Sequence, residues 1–514
     1  MNLTGIQAKA NRMNKDLVIL YFPETLENPT MISPPLSLMA LGGVLEQEGF
    51  DVVIYDQRVD KNAHEKVVSG LERAIAVGIS SLTGPQITDG SDLSKKIKGQ
   101  NRAVPVVWGG WHPSLLPYQT IREPFVDVVV QGQGEITFVE LLNAFRHNES
   151  YGHVRGIFYK KGGRIIETGK REIVDINQFP FLAYHLIDIS KYPGRPYRPH
   201  GVQTTMRTQQ GCPYRCEFCA DPIVYKRKMV RYTPERIVDE IENLVKNYGV
   251  NEISFQDPIF ILSVNHLKKF CEELLRRKLN ILWSGTSRYT TIARMNEGML
   301  ALLKKSGCHM LHPGVEAGSQ EMMDKIKKDQ KLDRLMVCVN KLAKHKIIGL
   351  YSFIVGMPGE GDGEISKVFQ LVKQIKQIDR EAIVPVNFYT PYPVSPLYRK
   401  AIEQGFKEPD SLAAWKDFSA RKNKMPWVTQ QMEDEVMKKD KYYLPAAFPS
   451  KIMNRKMREG WAKWLYRAFH AIAGFRVRRN WYAFDVDWKL LLLYWKFWEK
   501  YHRKLPLHNI HFRW

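Results

Sequence analysis

The chain has 514 residues, of which 44% are hydrophobic and 11% aromatic, so it can bury several hydrophobic cores in two or three domains. This length and composition exclude a small disulfide-stapled scaffold. A formal net charge of +22 raises the question of an anionic partner. The sequence shows no signal-peptide core and no uninterrupted apolar run of 18 residues, which predicts a cytoplasmic protein.

The first 150 residues alternate between short β-branched runs and amphipathic segments. The predicted strands are 16–22, 51–56, 74–81, 104–110 and 126–132, and the clearest predicted helices are 36–49 and 135–147. Near-continuous apolar strands that alternate with helices are typical of a parallel sheet covered on both faces. We therefore predict an α/β fold whose residues 1–150 form a doubly wound, Rossmann-like domain.

Small residues dominate the predicted carboxyl ends of these strands, where such sheets bind ligands. The segments are SSLTGPQ (80–86), GGWHPS (109–114) and GQGE (132–135). Their glycines either serve as simple turn residues or let the main chain approach a flat or phosphate-bearing ligand. A nicotinamide cofactor is disfavoured, because no G-x-G-x-x-G follows the first strand.

A second series of alternating elements follows a predicted linker. Residues 151–200 read as a hairpin with a Gly-Gly turn and then a proline-rich stretch. Six predicted strands follow within 201–415, which is fewer than the eight of a closed barrel and predicts a partial (β/α)6 barrel. These strands are 202–208, 251–257, 279–288, 308–318, 347–360 and 382–393.

Three of the six cysteines fall within eight residues, directly after the first predicted barrel strand. Cys212, Cys216 and Cys219 form C-x-x-x-C-x-x-C, whereas zinc sites prefer four ligands in paired C-x-x-C form. Three thiolates suit an iron–sulfur cluster that leaves one iron open, on the face where α/β barrels hold their chemistry. The remaining cysteines are predicted to be reduced core residues: Cys271, Cys308 and Cys338.

The cysteine motif, with Phe218 before its last cysteine, resembles that of radical S-adenosylmethionine (SAM) enzymes. The span from about 15 to 415 is similar to the branch of that family with an amino-terminal cobalamin-binding domain. The segments that carry the resemblance are PPLSLMALGGVLEQEGFDVVIYD, GGWHPSLLP, VVVQGQGEITFVELL, GVEAGSQE and PYPVSPLY, in the expected order. The resemblance implies three cofactors: a [4Fe–4S] cluster, SAM and cobalamin.

The resemblance also implies roles for individual residues. The three cysteines would hold the cluster, whose open iron binds SAM and supplies the electron that cleaves it to methionine and a 5′-deoxyadenosyl radical. Asp257 would contact the methionine amino group, Arg288 its carboxylate, Glu316 the ribose hydroxyls and Gly356 the adenine; a capping or ion-pair role is the alternative for each. With Phe218, the other implied cofactor contacts are Pro35, Ser81, Thr83, Gly109, Gly110, His112, Gly132, Gly134 and Glu135.

Two segments depart from the family pattern. The D-x-H-x-x-G motif that supplies a histidine ligand to cobalt in classical methyltransferases is absent, so cobalamin is predicted to bind base-off without a protein histidine, over the loop SSLTGPQ. The segment PYPVSPLY has Val394 and Ser395 where the family has Gly-Thr, which affects the substrate side rather than the class.

Within this family, methylation of an unactivated carbon is the favoured reaction, and oxidative cyclisation or ring rearrangement is the alternative. A tRNA-modifying methylthiotransferase would suit the basic charge, but no cysteine precedes Cys212 and no small RNA-binding barrel is evident, so nucleic acid is not an expected partner. A cobalamin sensor would leave the three thiols unexplained. The expected partners are a small molecule, lipid-like or tetrapyrrole-like in one interpretation, and an electron donor such as flavodoxin or ferredoxin; the protein is expected to be a monomer.

The carboxy-terminal region, 416–514, is basic and aromatic. From Lys451 to Trp514 it has 15 Lys or Arg residues, 4 Asp or Glu residues and seven of the twelve tryptophans. One interpretation is a helical cap whose aromatic side chains pack on the barrel. The other is an interfacial segment that contacts the inner face of a membrane, since Trp with Lys or Arg suits the headgroup layer.

Overall fold

A computed structural model describes residues 16–25, 32–192, 201–361, 363–418, 425–458 and 463–493. The end of the predicted proline-rich linker, 193–200, and the final aromatic and basic segment, 494–514, lie outside the described residues.

The amino-terminal sheet contains five parallel strands in the order β2-β1-β3-β4-β5. Hydrophobic side chains alternate along the first strand: Ile19 and Tyr21 belong to one core, while Val18 and Leu20 belong to a separate core. The predicted doubly wound domain is therefore confirmed. Its strands are β1 (Leu17–Phe22), β2 (Asp51–Asp56), β3 (Ala74–Ser80), β4 (Val106–Gly109) and β5 (Val128–Val130), and its helices are α1 (Leu36–Gln47), α2 (Ala63–Ser69), α3 (Gln86–Gln100), α4 (Trp111–Leu115), α5 (Pro117–Ile121) and α6 (Glu135–His147).

The predicted hairpin forms, and it belongs to the amino-terminal sheet. Strands β6 (Ile157–Lys161) and β7 (Arg164–Glu167) add to the edge of β5 in antiparallel order. Both turn residues, Gly162 and Gly163, have positive φ, as a tight two-residue hairpin requires. The sheet thus extends past the predicted domain boundary at 150, because the hairpin covers the open edge of β5. Short 3-10 turns follow at Ile176–Gln178, Tyr184–Leu186 and Ile189–Lys191.

The second domain is an open barrel of six parallel strand positions, as predicted. Five strands pair in the order β14-β13-β12-β11-β8, and a separate parallel pair, β15 with β16, is joined to them by isolated bridges. The strands are β8 (Val202–Met206), β9 (Gln209–Gln210), β10 (Val230–Arg231), β11 (Val250–Phe255), β12 (Leu282–Ser287), β13 (Cys308–Pro313), β14 (Ile348–Gly349), β15 (Phe353–Val355) and β16 (Val386–Phe388). Of these, β9 and β10 form a small antiparallel pair. Strand β9 lies within residues 207–220, the segment that carries the three cysteines and is called the cysteine loop below.

Helices of strong amphipathic pattern cover the outside of the barrel. In Pro234–Tyr248, Thr233 caps the first turn, Gly249 ends the helix in the left-handed conformation, and Ile237 and Ile241 face the core. The helices are α7 (Asp221–Val224), α8 (Pro234–Tyr248), α9 (Val264–Arg276), α10 (Tyr289–Arg294), α11 (Glu297–Lys305), α12 (Gln320–Lys325), α13 (Arg334–Lys344), α14 (Glu364–Ile378) and α15 (Pro396–Glu403). Cys271, Cys308 and Cys338 are buried and free, as predicted.

The carboxy-terminal region is helical and packs on the barrel. Tyr442 and Tyr443 are fully buried, and Trp488 and Leu491 join the same hydrophobic cluster as the barrel. The elements are a 3-10 turn (Ala413–Asp417), α16 (Gln430–Lys438), a π-helical turn (Lys439–Tyr443), α17 (Leu444–Ala447), α18 (Lys451–Arg458) and α19 (Lys463–Arg479), with residues 486–493 also helical. No helix in the described ranges combines the length and hydrophobicity that crossing a bilayer requires.

Candidate functional site

The cysteine loop begins directly after β8, and Asp257 anchors its first residues. One carboxylate oxygen of Asp257 accepts hydrogen bonds from the backbone amides of Thr208 (2.7 Å) and Gln209 (2.9 Å), and the other accepts from the Thr208 hydroxyl (2.5 Å). Burial raises the pKa of Asp257 to about 6, although these three donors favour its charged form. As placed, Asp257 positions the loop, and its contact with the methionine amino group stays a prediction.

Ion pairs fix the middle of the loop to neighbouring elements. Glu217 lies between Lys327, at 2.6 Å, and Lys400 of α15, at 2.8 Å. Arg215 pairs with Asp329 at 3.0 Å. Because these partners belong to different parts of the barrel, the loop conformation depends on the folded domain.

The three cysteine thiols lie together on this loop, partly buried and free of disulfides. Burial raises the pKa of Cys212 to about 11 and that of Cys219 to about 12, so the thiols stay protonated until a metal displaces the proton. Among the described residues, no three His, Cys, Asp or Glu side chains converge on one metal ion. Three free thiols on one loop are the donor set that would hold a [4Fe–4S] cluster through three of its irons.

Arg288, at the end of β12, contacts the barrel loop that faces the cysteines. Its guanidinium donates to the backbone carbonyls of Lys328 and Asp329, the latter at 2.7 Å, and lies 3.8 Å from the ring centre of Tyr214. The side chain is buried within the same site as the cysteine loop. Its bond to the SAM carboxylate stays a prediction, since the described contacts give it a structural role.

Glu316 lies in a strained backbone conformation beside the same loop. Its φ is +77°, a left-handed value that non-glycine residues rarely adopt and that occurs preferentially at functional sites. Its carboxylate accepts from the Lys328 ammonium at 2.9 Å, and each side chain is 11% exposed. Burial is the largest single influence and opposes the charge of Lys328, but nearby groups, chiefly the Glu316 carboxylate, together outweigh it and raise the pKa of Lys328.

Two further predicted SAM contacts lie at the edges of this site. Phe218 packs against the barrel core, and the Lys328 ammonium lies 5.6 Å from its ring centre. Gly356 ends β15 with φ of +72°, and its carbonyl accepts from the Trp427 indole at 3.0 Å. The barrel thus brings Phe218, Arg288, Glu316 and the cysteine loop together. Gly356 instead contacts the segment that carries Trp427.

The amino-terminal crevice lies at the carboxyl ends of its parallel strands. Strand order β2-β1-β3-β4-β5 puts the topological switch point between β1 and β3, where ligands of such sheets bind. The Ser81 amide donates to Gly109 and its carbonyl accepts from the His112 amide, so the ends of β3 and β4 form one backbone surface. A methyl group at Gly110 would meet the backbone of Ser81, whereas one at Gly132 would enter open space. This open, glycine-lined edge fits a large planar cofactor.

The predicted cobalamin-contacting residues gather at this edge. Pro35 precedes α1, Gly134 precedes α6, and Thr83 and His112 share a hydrogen bond of 3.1 Å. His112 is fully buried, its ring meets Trp415 edge-on, and burial lowers its pKa to about 3. The contacts with Thr83 and Trp415 enclose the imidazole, and the absence of a histidine ligand to cobalt stays a prediction.

The crevice faces the cysteine loop across the domain interface. Glu135, at the start of α6, accepts from Gln210 at 2.7 Å and from Arg207 at 3.1 Å. Both donors lie at the start of the cysteine loop, before the first cysteine. Trp111 of α4 meets Tyr225, just after α7, edge-on at 6.2 Å. The Glu135 carboxylate therefore joins the two domains, and its contact with the cofactor stays a prediction.

Sequence reasoning missed two charged residues of this site. Lys328 pairs with Glu316, and nothing in its local sequence distinguishes it from neighbouring lysines. Asp221 follows the last cysteine by two residues and is 3% exposed, yet neither of its carboxylate oxygens has a hydrogen-bond partner among the described residues. Burial raises its pKa to about 7. The cysteines were found because they are clustered in the sequence, whereas no sequence motif identifies Lys328 or Asp221.

A doubly wound domain facing a cysteine-bearing partial barrel defines a class of iron–sulfur enzyme with a second cofactor domain. Sequence models specify this class: the radical SAM superfamily matches residues 206–372, and the B12 binding domain matches residues 25–142. An uncharacterized methyltransferase of Pyrococcus horikoshii is 30% identical over 72% of this chain and 78% of that protein. The chain belongs to the radical SAM superfamily, in the branch with an amino-terminal B12-binding domain.

Other relatives and solved structures agree with this assignment. The anaerobic magnesium-protoporphyrin IX monomethyl ester cyclase of Rubrivivax gelatinosus is 27% identical over 71% of this chain and 66% of its own length. The structure of the radical SAM methyltransferase TsrM from Kitasatospora setae is similar with a TM-score of 0.62, at 19% identity, over 78% of this chain and 81% of that one. The predicted enzyme class and its three cofactors are confirmed by the family.

Proposed function

We propose that this enzyme transfers a methyl group to an unactivated carbon of a small, apolar molecule. The observation that carries the proposal is the position of the glycine-lined crevice directly opposite the cysteine loop, with Glu135 joining the two sides. Methyl transfer through two cofactors requires that the substrate carbon lie between them. The named methyltransferases among the relatives support the same reaction.

When bound, the cluster and SAM supply a carbon radical on the substrate and cobalamin supplies the methyl group. The residues of this chain fix the positions of the loops around the predicted cofactor site. Asp257 fixes the start of the cysteine loop, and Arg288 fixes the opposite loop at Lys328 and Asp329. Gln133 adds a second link between the domains beside Glu135, since its side-chain amide donates directly to Gln210 at 2.8 Å.

Oxidative cyclisation is the second candidate, since relatives with this domain pair include cyclases. The two reactions differ in their products from SAM. Methyl transfer is expected to form both 5′-deoxyadenosine and S-adenosylhomocysteine and to add one CH2 to the substrate. Cyclisation is expected to form 5′-deoxyadenosine without S-adenosylhomocysteine.

The reconstituted enzyme, incubated with SAM, cobalamin, a chemical reductant and an extract of small molecules, tests this proposal by mass spectrometry. We expect both SAM products and a substrate-derived mass that carries label from methyl-deuterated SAM. Formation of 5′-deoxyadenosine without labelled product or S-adenosylhomocysteine would contradict methyl transfer and favour cyclisation.

Cobalamin bound to this chain is expected to be base-off and without a histidine ligand. His112 is enclosed by Thr83 and Trp415, and with a pKa of about 3 it stays neutral and unchanged from pH 5 to 9. The electronic spectrum of the bound cofactor should therefore be base-off and independent of pH, and His112→Gln should leave the cobalt bands in place. Histidine-ligated features that vanish in that variant would show that the imidazole reaches cobalt.

The partners of the reaction follow from the same proposal. A lipid-like or tetrapyrrole-like substrate would suit a site between two cofactors, and an electron donor such as flavodoxin or ferredoxin would reduce the cluster. We propose that the protein is a monomer and contacts the inner face of the membrane peripherally through its carboxy-terminal region. The apolar side chains exposed in that region support the membrane contact.

A further inference from the structure

The carboxy-terminal region packs one face on the barrel and leaves another apolar face exposed. Trp464 is 67% exposed and Phe484 81%, in contrast to Trp488 and Leu491 of the packed face. Patches of this kind mark interaction surfaces rather than ordinary solvent-facing protein. We call the following side chains the exposed apolar face: Trp464, Leu465, Ile472, Phe475, Trp481, Phe484, Val486, Leu490 and Leu493.

Ring contacts join the middle of the exposed apolar face. On α19, Trp464, Ile472 and Phe475 lie on one side, at helical spacing. The Trp481 ring then contacts Phe475, with centroids 6.3 Å apart, and Phe484, with centroids 6.4 Å apart. Val486, Leu490 and Leu493 continue with i, i+4, i+7 spacing along the helical residues 486–493. The result is a strip of side chains along the outside of the region.

Cations flank this strip. The ammonium of Lys463 and the guanidinium of Arg467 lie 5.6 and 5.2 Å from the ring centre of Trp464. Arg478 and Arg479 end α19, and the sequence contains no Asp or Glu from 460 to 484. Tryptophan between cations is the arrangement that suits the headgroup layer of a bilayer.

A cationic cleft lies in the same region, between the end of α14 and α18. Its volume is about 430 Å³, and it is lined by Arg380, Lys451, Asn454, Arg455 and Arg458. Four basic side chains and one amide around a cleft of this size suit an anionic phosphate group. The strip is apolar and the cleft is cationic, so a surface that is both apolar and negatively charged would suit both features.

We infer that this region docks on a bilayer that contains anionic phospholipid. The exposed apolar face enters the headgroup layer, and the flanking cations and the cationic cleft bind lipid phosphates. The inference specifies the membrane contact proposed above. It places the binding surface outside the cofactor sites.

Co-sedimentation of the full chain with vesicles tests the inference. Vesicles of phosphatidylglycerol and phosphatidylcholine are expected to bind the protein at least about tenfold more tightly than phosphatidylcholine alone, and binding should weaken as salt shortens the screening length. Equal binding to both vesicles, or no binding at low salt, would overturn the inference; the latter would assign the strip to a protein partner.

Surface variants separate docking from folding and from catalysis. Combined Trp464→Ser, Phe475→Ser and Phe484→Asn removes apolar area, and asparagine tolerates the positive φ of Phe484. Arg455→Glu with Arg458→Glu reverses the cleft, and Lys305→Glu and Val337→Ser are matched controls on other exposed surfaces. We expect about tenfold weaker vesicle binding for the first two variants and no change for the controls.

SAM cleavage in detergent-free solution is measured for each of these variants. It is expected to match that of the unmodified chain, because no variant touches the cysteine loop. Unchanged vesicle binding in both test variants would refute the docking surface. Absence of SAM cleavage by the unmodified chain would refute the proposed function and leave the docking surface unaffected.

Discussion

Replacing any one of Cys212, Cys216 or Cys219 by alanine is expected to reduce 5′-deoxyadenosine formation to background. In the cluster that the family implies, each thiolate would bind a different iron, so the loss of one would leave the cluster incompletely held and the chain without its electron source. The measurements are iron and sulfide content after anaerobic reconstitution, the electron paramagnetic resonance signal of the reduced cluster, and SAM cleavage. We expect about four irons in the unmodified chain.

Cys338→Ala is the matched control for these variants. Cys338 is fully buried in the barrel core, on α13, and belongs to none of the loops around the site. Its loss removes a buried thiol that is hydrogen-bonded to the Tyr351 hydroxyl and is expected to cost about 1 to 3 kcal/mol of stability while leaving iron content and SAM cleavage intact. Full SAM cleavage in Cys212→Ala, or loss of the cluster in Cys338→Ala, would contradict the assignment of the ligands.

Local patterns in the sequence were sufficient to predict both α/β domains. Strand β2 and helix α6 have the predicted bounds, and the six barrel strand positions occur where predicted. These segments are near-continuous apolar strands and strongly amphipathic helices, whose periodicity depends only on neighbouring residues. The cysteine loop was evident for the same reason, since its ligands lie within eight residues.

Contacts between distant segments could not be predicted. Asp257 was predicted as a ligand contact, yet its carboxylate oxygens accept from the start of the cysteine loop, 48 and 49 residues away in sequence. Lys328 meets Glu316 only because the chain folds back after α12. A carboxylate at a strand end has the same local pattern whether it binds a cofactor or positions a loop, so the sequence left both roles open.

The carboxy-terminal region illustrates a different limit. Its two interpretations, packed cap and interfacial segment, predict the same mixture of aromatic and basic residues at helical spacing. In the structure, Trp488 is buried on the barrel, as the packed cap predicts, and Trp464 is exposed beside cations, as the interfacial segment predicts. In α19, aromatic and basic residues occur on both the buried and the exposed face, so the sequence does not reveal which face packs.

Breaking the buried pair of Glu316 and Lys328 is expected to have the largest effect on stability. Glu316→Gln leaves the Lys328 ammonium buried without its counter-charge, which is expected to lower the free energy of unfolding by about 3 to 5 kcal/mol. Lys328→Met leaves the carboxylate uncompensated and should cost a similar amount. Urea denaturation followed by tryptophan fluorescence, with cofactor-free protein, measures both.

The double variant, Glu316→Gln with Lys328→Met, separates stability from SAM binding. Neither position then carries a charge, so most of the lost stability should return. If Glu316 also holds the SAM ribose, as the family resemblance implies, SAM affinity measured by equilibrium dialysis stays reduced in the double variant, because the missing carboxylate cannot bind the hydroxyls. Recovery of both stability and SAM affinity would show that Glu316 acts only through Lys328, and the φ of +77° at Glu316 would then serve the ion pair rather than the ligand.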